Sequence, residues 1–492
     1  MTEDSIRLRY AGLILFLSRI VSIGTGLIFT LLITRNITPK DYGIYGNIGD
    51  VLAYFTIIST TIPFWVTRFE ARRWPGSFKT GFVINSLVGL VSTALYLLFI
   101  MNIIFTLNID LEYTPVYLVA AMIIFEGHVL SVLEAALYSW RPEKIGFGFL
   151  IFETSKVALG TLLLYILRMG LMGAIVSVIF ASLCQIIFYA VLLLQKFKEK
   201  IVWAYVREWV KASLLNIYGI IGDRLLVLAN IFLFVYGGEL PRAYYGASSS
   251  IASIVAYSTS LAFALYPRLL AGANPEDISL SLKMVFMFAI PMFFGAVILS
   301  KDLLSILNPI YGAAAPILIV LALSSLISAA SSIFETVITG TENFDVMARV
   351  SIMSVFRSKL FPLLTLRYIQ AAIILPPIYL LLSSFPLDSV SLTFYFASIC
   401  CVGQIITTLI KLIMAEKCIT FVIPWRSLVK YVCSSIVMAL FLLTFSMPPR
   451  LIIVFLRIFS GAVIYFTMLF IVDDETRGVI RLVSKRLLER LP

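Results

Sequence analysis

The sequence predicts an all-α polytopic membrane protein with 14 transmembrane helices, and three observations carry that prediction. First, of 492 residues 60% are hydrophobic and only 13% charged, with a mean hydropathy of +1.00. A soluble domain is roughly 45–50% apolar and about 25% charged, so this chain has too little polar surface to cover soluble cores. Second, the apolar residues, about 295 of them, fall in span-length runs. At roughly 20 residues per helix they supply about 14 spans. Third, the basic residues alternate from one connection to the next.

The spans are expected at 10–34, 42–66, 81–105, 114–138, 147–167, 171–195, 212–236, 243–267, 281–299, 314–338, 369–384, 391–413, 428–446 and 450–472. The polar start is short and no small-residue cleavage site interrupts the run after Tyr10, so a first membrane helix is expected there and not a signal peptide. The eighth span is rich in hydroxyls (Ser248, Ser249, Ser250, Ser253, Ser258, Thr259, Ser260), suited either to sugar hydroxyls or to close helix packing. The eleventh is short and holds Pro376-Pro377. The basic stretch before it, 346–366, is expected along the membrane surface.

With the N-terminus cytoplasmic and 14 crossings, the inner connections hold about 28 Lys and Arg, Arg367 and Lys411 among them. The outer ones hold about 6: Arg35, Lys40, Arg168, Arg242, Lys301 and Arg450. This positive-inside bias places both termini in the cytoplasm. It also accounts for the net charge of +11 without a nucleic-acid partner. The five cysteines lack zinc or disulfide spacing and the single histidine is His128, so no metal centre is expected.

The chain repeats itself. Arg19 in the first span precedes Pro39-Lys40-Asp41-Tyr42, and Arg224 in the seventh precedes Pro241-Arg242-Ala243-Tyr244. Six spans lie between the copies, an even number, which implies a parallel repeat. The expected division is therefore an N-terminal lobe (1–195, helices 1–6), a basic amphipathic linker (196–211) and a C-terminal lobe (212–415, helices 7–12). Helices 13–14 and a basic tail (416–492) complete it. The linker is read either as a tether between lobes or as a basic loop on an anionic membrane surface.

The run Ser18-Arg19-Ile20 through Ile37-Thr38-Pro39-Lys40-Asp41-Tyr42-Gly43-Ile44-Tyr45-Gly46, with Gly222-Asp223-Arg224 and Pro267-Arg268, resembles the polysaccharide transporter family. That family, which includes O-antigen flippase-like proteins, belongs to the multidrug/oligosaccharidyl-lipid/polysaccharide exporter superfamily. The second copy departs from the first, with Tyr244-Tyr245-Gly246 in place of Tyr42-Gly43. The resemblance implies two six-helix lobes in a V around a central cavity, with two further C-terminal helices, in a cell membrane. It implies a flippase for polyprenyl-(pyro)phosphate-linked oligosaccharide, working by alternating access and serving surface polysaccharide or glycoprotein glycan assembly.

An ionisable side chain in mid-membrane costs at least about 2.5–3.5 kcal/mol, so it is expected to face water, a partner or substrate. At 1.5 Å per residue, Arg19 lies about 14 Å and Arg224 about 18 Å from the inner ends of their spans. Both guanidinium groups suit the carrier's pyrophosphate, with Asp223 either at the same site or neutralising Arg224. Glu126 and Glu134 share a face of the fourth span. Glu153 and Lys156 are spaced to pair on the fifth, where Lys156 also comes within reach of Glu126. These residues form either a structural ion-pair network or, with Asp50, a site for a coupling cation, Na+ or H+. His128 is expected to pack helices, and Glu335 is a further buried acid. No P-loop is present, no cofactor is implied and no enzymatic chemistry is expected. The rival readings are a cation-coupled drug exporter of the same superfamily and, more remotely, a membrane glycosyltransferase.

Overall fold

The structure is a computed structural model. It describes residues 21–22, 24–262, 265–272, 274–341, 358–444, 448 and 450–473. Among these residues it is helical, with no strand. The helices are α1 (24–36), α2 (Pro39–Phe55), α3 (Thr61–Ala71), α4 (Ser77–Thr106), α5 (Thr114–Trp140) and α6 (Pro142–Gly160). Then follow α7 (Gly170–Leu192), α8 (Trp203–Ala212), α9 (Leu214–Gly237), α10 (Glu239–Ala256), α11 (Leu265–Ala271) and α12 (Pro275–Ile298). The last are α13 (Ser300–Leu307), α14 (Ala315–Gly340), α15 (Leu360–Ser384), α16 (Ser389–Cys418), α17 (Trp425–Thr444) and α18 (Leu451–Val472). Eleven helices among the described residues are long and apolar enough to cross a membrane. Their outer faces carry exposed Leu, Val and Phe, as at Leu90, Val91, Leu98 and Phe105 of α4, which is what a hydrocarbon solvent requires.

The other three expected spans are instructive. About half of 10–34, with Arg19, lies outside the described residues; its remainder is helical. The span 42–66 divides into α2 and α3. Pro63 has no N–H to give the Ser59 carbonyl, which an unbroken helix would require. That carbonyl instead accepts Asn85 Nδ2 (3.1 Å) and Ser131 Oγ (2.9 Å), so the break is satisfied inside the protein. The span 243–267 tightens to a 3-10 turn at Tyr257–Ala262, where Ser258 and Thr259 hydroxyls donate back to the Val255 and Ala256 carbonyls.

The eleventh span corrects the sequence reading. The helix is longer than 369–384: α15 runs 25 residues from Leu360 and includes Arg367, so 360–366 belong to it and not to a surface segment. That cation interrupts the apolar pattern, but Asp223 on α9 neutralises it. Residues 346–357 lie outside the described residues.

The described residues form two compact units. One lies within Met1–Gly246 and Phe344–Thr393, the other within Ala247–Asn343 and Phe394–Pro492. In the second unit, Ile290 and Leu299 pack with Tyr431, Met438, Leu442, Tyr465 and Leu469, which ties α17 and α18 to α12. Tyr465 donates to the Met287 carbonyl (2.7 Å), and Arg457 of α18 pairs with Asp302 of α13.

In the first unit the basic stretch 196–211 is docked. Fully buried Trp209 joins Phe69, Phe78, Leu133, Leu137, Tyr189 and Leu193 in one core. Only 203–212 is α-helical, because the chain before it is held in a clamp. Glu70, buried at the end of α3, accepts Lys196 Nζ (2.8 Å), Ser77 Oγ (2.5 Å) and the Phe78 amide (3.0 Å). Glu199 accepts the Gly76 amide (2.6 Å). Gly76 has φ +78°, and a Cβ there would meet the Lys200 carbonyl at 2.3 Å, so only glycine fits.

Burial disfavours the Lys196 charge, but hydrogen bonds to Glu70 and Glu199 outweigh it and raise its pKa above the ordinary lysine value. Its stabilisation is therefore complete below that ordinary value and is lost only as pH rises through the raised one. Glu70→Ala leaves an ammonium, a hydroxyl and an amide without their shared acceptor. It is expected to cost about 2–4 kcal/mol, seen as a lowered unfolding midpoint of the purified protein at pH 7. Lys196→Met is expected to flatten the alkaline end of the stability profile.

Candidate functional site

Thr38 starts α2 by accepting the Asp41 amide (3.1 Å), while the Asp41 carboxylate accepts the Thr38 amide (3.2 Å), with Pro39 as the first helical residue. This capping box fixes where the helix begins. Gly43, Gly46, Asp50 and Tyr54 then follow at intervals of three or four, on one face. A Cβ on Gly43 would stand 2.0 Å from the Glu239 carbonyl oxygen, and one on Gly46 would stand 2.8 Å from the Arg242 guanidinium carbon. The two glycines thus let the start of α10 lie directly on α2.

That approach closes an ion pair. Arg242 Nε donates to Asp50 Oδ2 (2.7 Å) and Arg242 Nη2 to the Gly46 carbonyl (3.1 Å). Asn230 of α9 donates to the other Asp50 oxygen (3.2 Å), and one turn on Tyr54 donates to the Arg224 carbonyl (2.9 Å). Asp50 and Arg242 are each 8% exposed. A latch of four side chains therefore ties the second, seventh and eighth segments together within the first unit.

On the same helix α9, Asp223 pairs with Arg367 of α15 (2.5 Å), whose Nη1 also donates to the Gly219 carbonyl (3.3 Å). Arg224 makes no ion pair among the described residues, and its Nε is enclosed without an acceptor. Asp50 with Arg242 and Asp223 with Arg367 cancel in pairs. Arg224 is what remains, an uncompensated, half-buried cation beside Tyr54.

The other expected charges lie elsewhere in this unit. Glu153 pairs with Lys156 (2.8 Å) and accepts Ser22 Oγ (2.9 Å) and Thr25 Oγ1 (2.8 Å) from the first segment. The Lys156 ammonium sits 5.3 Å from the Phe29 ring centre and 4.8 Å from that of Phe152. Lys156 therefore turns to Glu153 and α1, and the expected contact with Glu126 does not form. Glu126 is 3% exposed with neither oxygen hydrogen-bonded; Ser182 of α7 lies beside it without closing a bond. Glu134 accepts Gln185 Nε2 of α7 (3.2 Å) and has no cation partner among the described residues. His128 Nδ1 meets the Ile124 carbonyl at 2.8 Å. In the second unit Glu335 pairs with Lys411 (2.8 Å), which also donates to Ser331 Oγ (3.1 Å).

Four basic residues in these pairs escape a reading from sequence. Hydropathy puts Arg242 in an outer connection and Arg367 and Lys411 in inner ones, and it gives Arg457 no role. The available signal is a basic residue inside an apolar run with an acid at matching depth on another span. Asp50→Asn is expected to leave the Arg242 charge buried and to destabilise the protein by about 3–5 kcal/mol. The charge swap Asp50→Arg with Arg242→Asp is expected to recover part of this, read as unfolding midpoints of the purified variants.

A comparison with protein-family models finds no match, and neither does one with curated protein sequences. Solved structures do match. The chain is similar to the lipid II flippase MurJ in an inward closed conformation, with a TM-score of 0.65 and 14% identity over 95% of this chain and 100% of that one. It is similar to an inward-facing multidrug-resistance MATE family transporter of the MOP superfamily, with a TM-score of 0.61 and 12% identity over 80% of this chain and 94% of that one. It is also similar to the MATE multidrug transporter DinF-BH, with a TM-score of 0.57 and 14% identity over 84% and 95% of the two chains. At these identities the likeness concerns the fold: this multi-pass helical chain has the fold shared by the MATE and MurJ transporters of the MOP superfamily.

Proposed function

We propose that the chain is a membrane flippase that moves a polyprenyl-(pyro)phosphate-linked oligosaccharide from the cytoplasmic to the outer leaflet by alternating access, with both termini cytoplasmic. The observation that carries this reading is the Arg224 guanidinium, left without an ion pair among the described residues while the charges around it are neutralised. A buried cation is costly unless something compensates it, and a planar guanidinium binds phosphate oxygens through paired hydrogen bonds. The headgroup of a lipid-linked sugar supplies those oxygens. Arg19, on the first copy of the repeat, is the proposed second contact.

A second reading, a cation-coupled drug exporter, draws on a different observation. Glu126 and Glu134 are acids of the same unit with no cation partner among the described residues. They suit a coupling ion in either scheme, but in this one the transported molecule is itself cationic.

Proteoliposomes with a fluorescent lipid-linked oligosaccharide separate the two. Arg224→Gln is expected to slow translocation by about 10- to 100-fold, the worth of a lost charged hydrogen-bond pair. Its unfolding midpoint should stay near wild type, since no ion pair is broken. Arg224→Lys is expected to recover part of the rate. Full-speed flipping by Arg224→Gln, or uptake of a cationic dye that needs Glu126 and not Arg224, would sink the flippase reading in favour of the exporter.

A further inference from the structure

The clamp that docks residues 196–212 also builds a surface. Tyr205 of α8 lies 5.8 Å from the Trp74 ring, centre to centre, and its hydroxyl donates to the Pro75 carbonyl (3.2 Å). The loop after α3 and the stretch before α8 are therefore one continuous rim. Arg72, Arg73, Lys198, Lys200 and Arg207 are all exposed on it, with no ion pair among the described residues. The acids beside them are engaged inward: Glu70 is buried under Lys196, and Glu199 holds Lys196 and the Gly76 amide. Only Glu208 remains exposed on α8.

Two further features describe what this rim meets. Trp203, Arg207 and Val210 follow at i, i+4 and i+7 of α8, so one stripe of that helix is aromatic, cationic and apolar in turn. Trp203 is 61% exposed, Val210 60% and Trp74 40%. Trp is the side chain of the membrane–water interface, and Arg snorkels from it with its stem in apolar surroundings. In addition, Arg73 sits at φ +59°, in the left-handed position closing α3, where its amide donates to the Glu70 carbonyl (2.9 Å). Glycine or asparagine fits that position with less strain. An arginine held there places a cation on the rim against the local backbone preference.

We propose that this rim is a seat for anionic phospholipid headgroups, so that the docked stretch binds the first unit to a negatively charged membrane surface. Charge complementarity favours a lipid surface over water, and the tryptophans and Val210 favour it over a soluble acidic partner. The rim lies where α3 ends and α4 begins, beside a helix long enough to span the bilayer.

The test uses the full chain in phosphatidylcholine nanodiscs containing a minor fraction of spin-labelled lipid. Trp203 fluorescence is isolated by subtracting the signal of Trp203→Phe. Spin-labelled phosphatidylglycerol is expected to quench Trp203 more strongly than spin-labelled phosphatidylcholine, and added salt should erase the difference. At about 1 kcal/mol per basic residue near an anionic surface, each charge removed should weaken the enrichment about fivefold. Arg73→Asn is the cleaner variant, since it removes the charge while easing the backbone, and its unfolding midpoint should not fall. Arg207→Gln and Arg72→Gln test the other side of the rim. Equal quenching by the two lipids overturns the proposal. So does a preference that survives Arg73→Asn combined with Arg207→Gln, or one that appears only with a pyrophosphate-bearing lipid.

Discussion

Charge inside an apolar fold must be compensated, and this structure meets that requirement through backbone contact as much as through side chains. The Asp50–Arg242 pair exists because Gly43 and Gly46 present no Cβ to the start of α10. Larger residues there would push the segments apart by more than a hydrogen bond can stretch. Arg242 then directs a further donor to the Gly46 carbonyl, so the same glycine provides both the space and an acceptor. Packing, capping and charge are thus coupled at one face of one helix, and α2 is fixed in register by its Thr38–Asp41 box.

The same rule organises the rest of the interior. Glu153 with Lys156, Asp223 with Arg367, Glu335 with Lys411 and Asp302 with Arg457 each cancel a charge locally. Such pairs add little to stability beyond what apolar residues would give, but losing one partner is strongly destabilising. The three that join different helices therefore fix which of those helices lie side by side. Set against this, Arg224 and Glu126 stand out by remaining unmatched among the described residues. The proposed transport rests on groups of this kind, because a site already neutralised by its own protein has little to offer a charged passenger.

The stretch 196–212 illustrates how composition leaves an arrangement open. Its Lys, Arg and Trp content suits a tether or a membrane-surface loop, and the exposed stripe of α8 is the face on which the proposed lipid seat rests. Its inner face is a different matter. Trp209 is fully buried among Phe69, Phe78 and Tyr189, and Lys196 is held by Glu70. A free amphipathic helix would need neither. The segment behaves as part of the first unit because its lysine meets an acid at position 70, more than a hundred residues upstream.

Local chemistry alone determined the helical class, the approximate position of most spans and the i, i+3 pairing of Glu153 with Lys156, since hydropathy and short spacing depend only on nearby residues. What the tertiary structure decided is which charge meets which. Asp50 and Arg242 are 192 residues apart, and Asp223 and Arg367 are 144 apart. Arg367 looked like a loop cation because a window of hydropathy cannot see the carboxylate on another helix that stabilises it there. Electrostatic compensation acts through space at a few ångströms, and only the folded chain sets those distances.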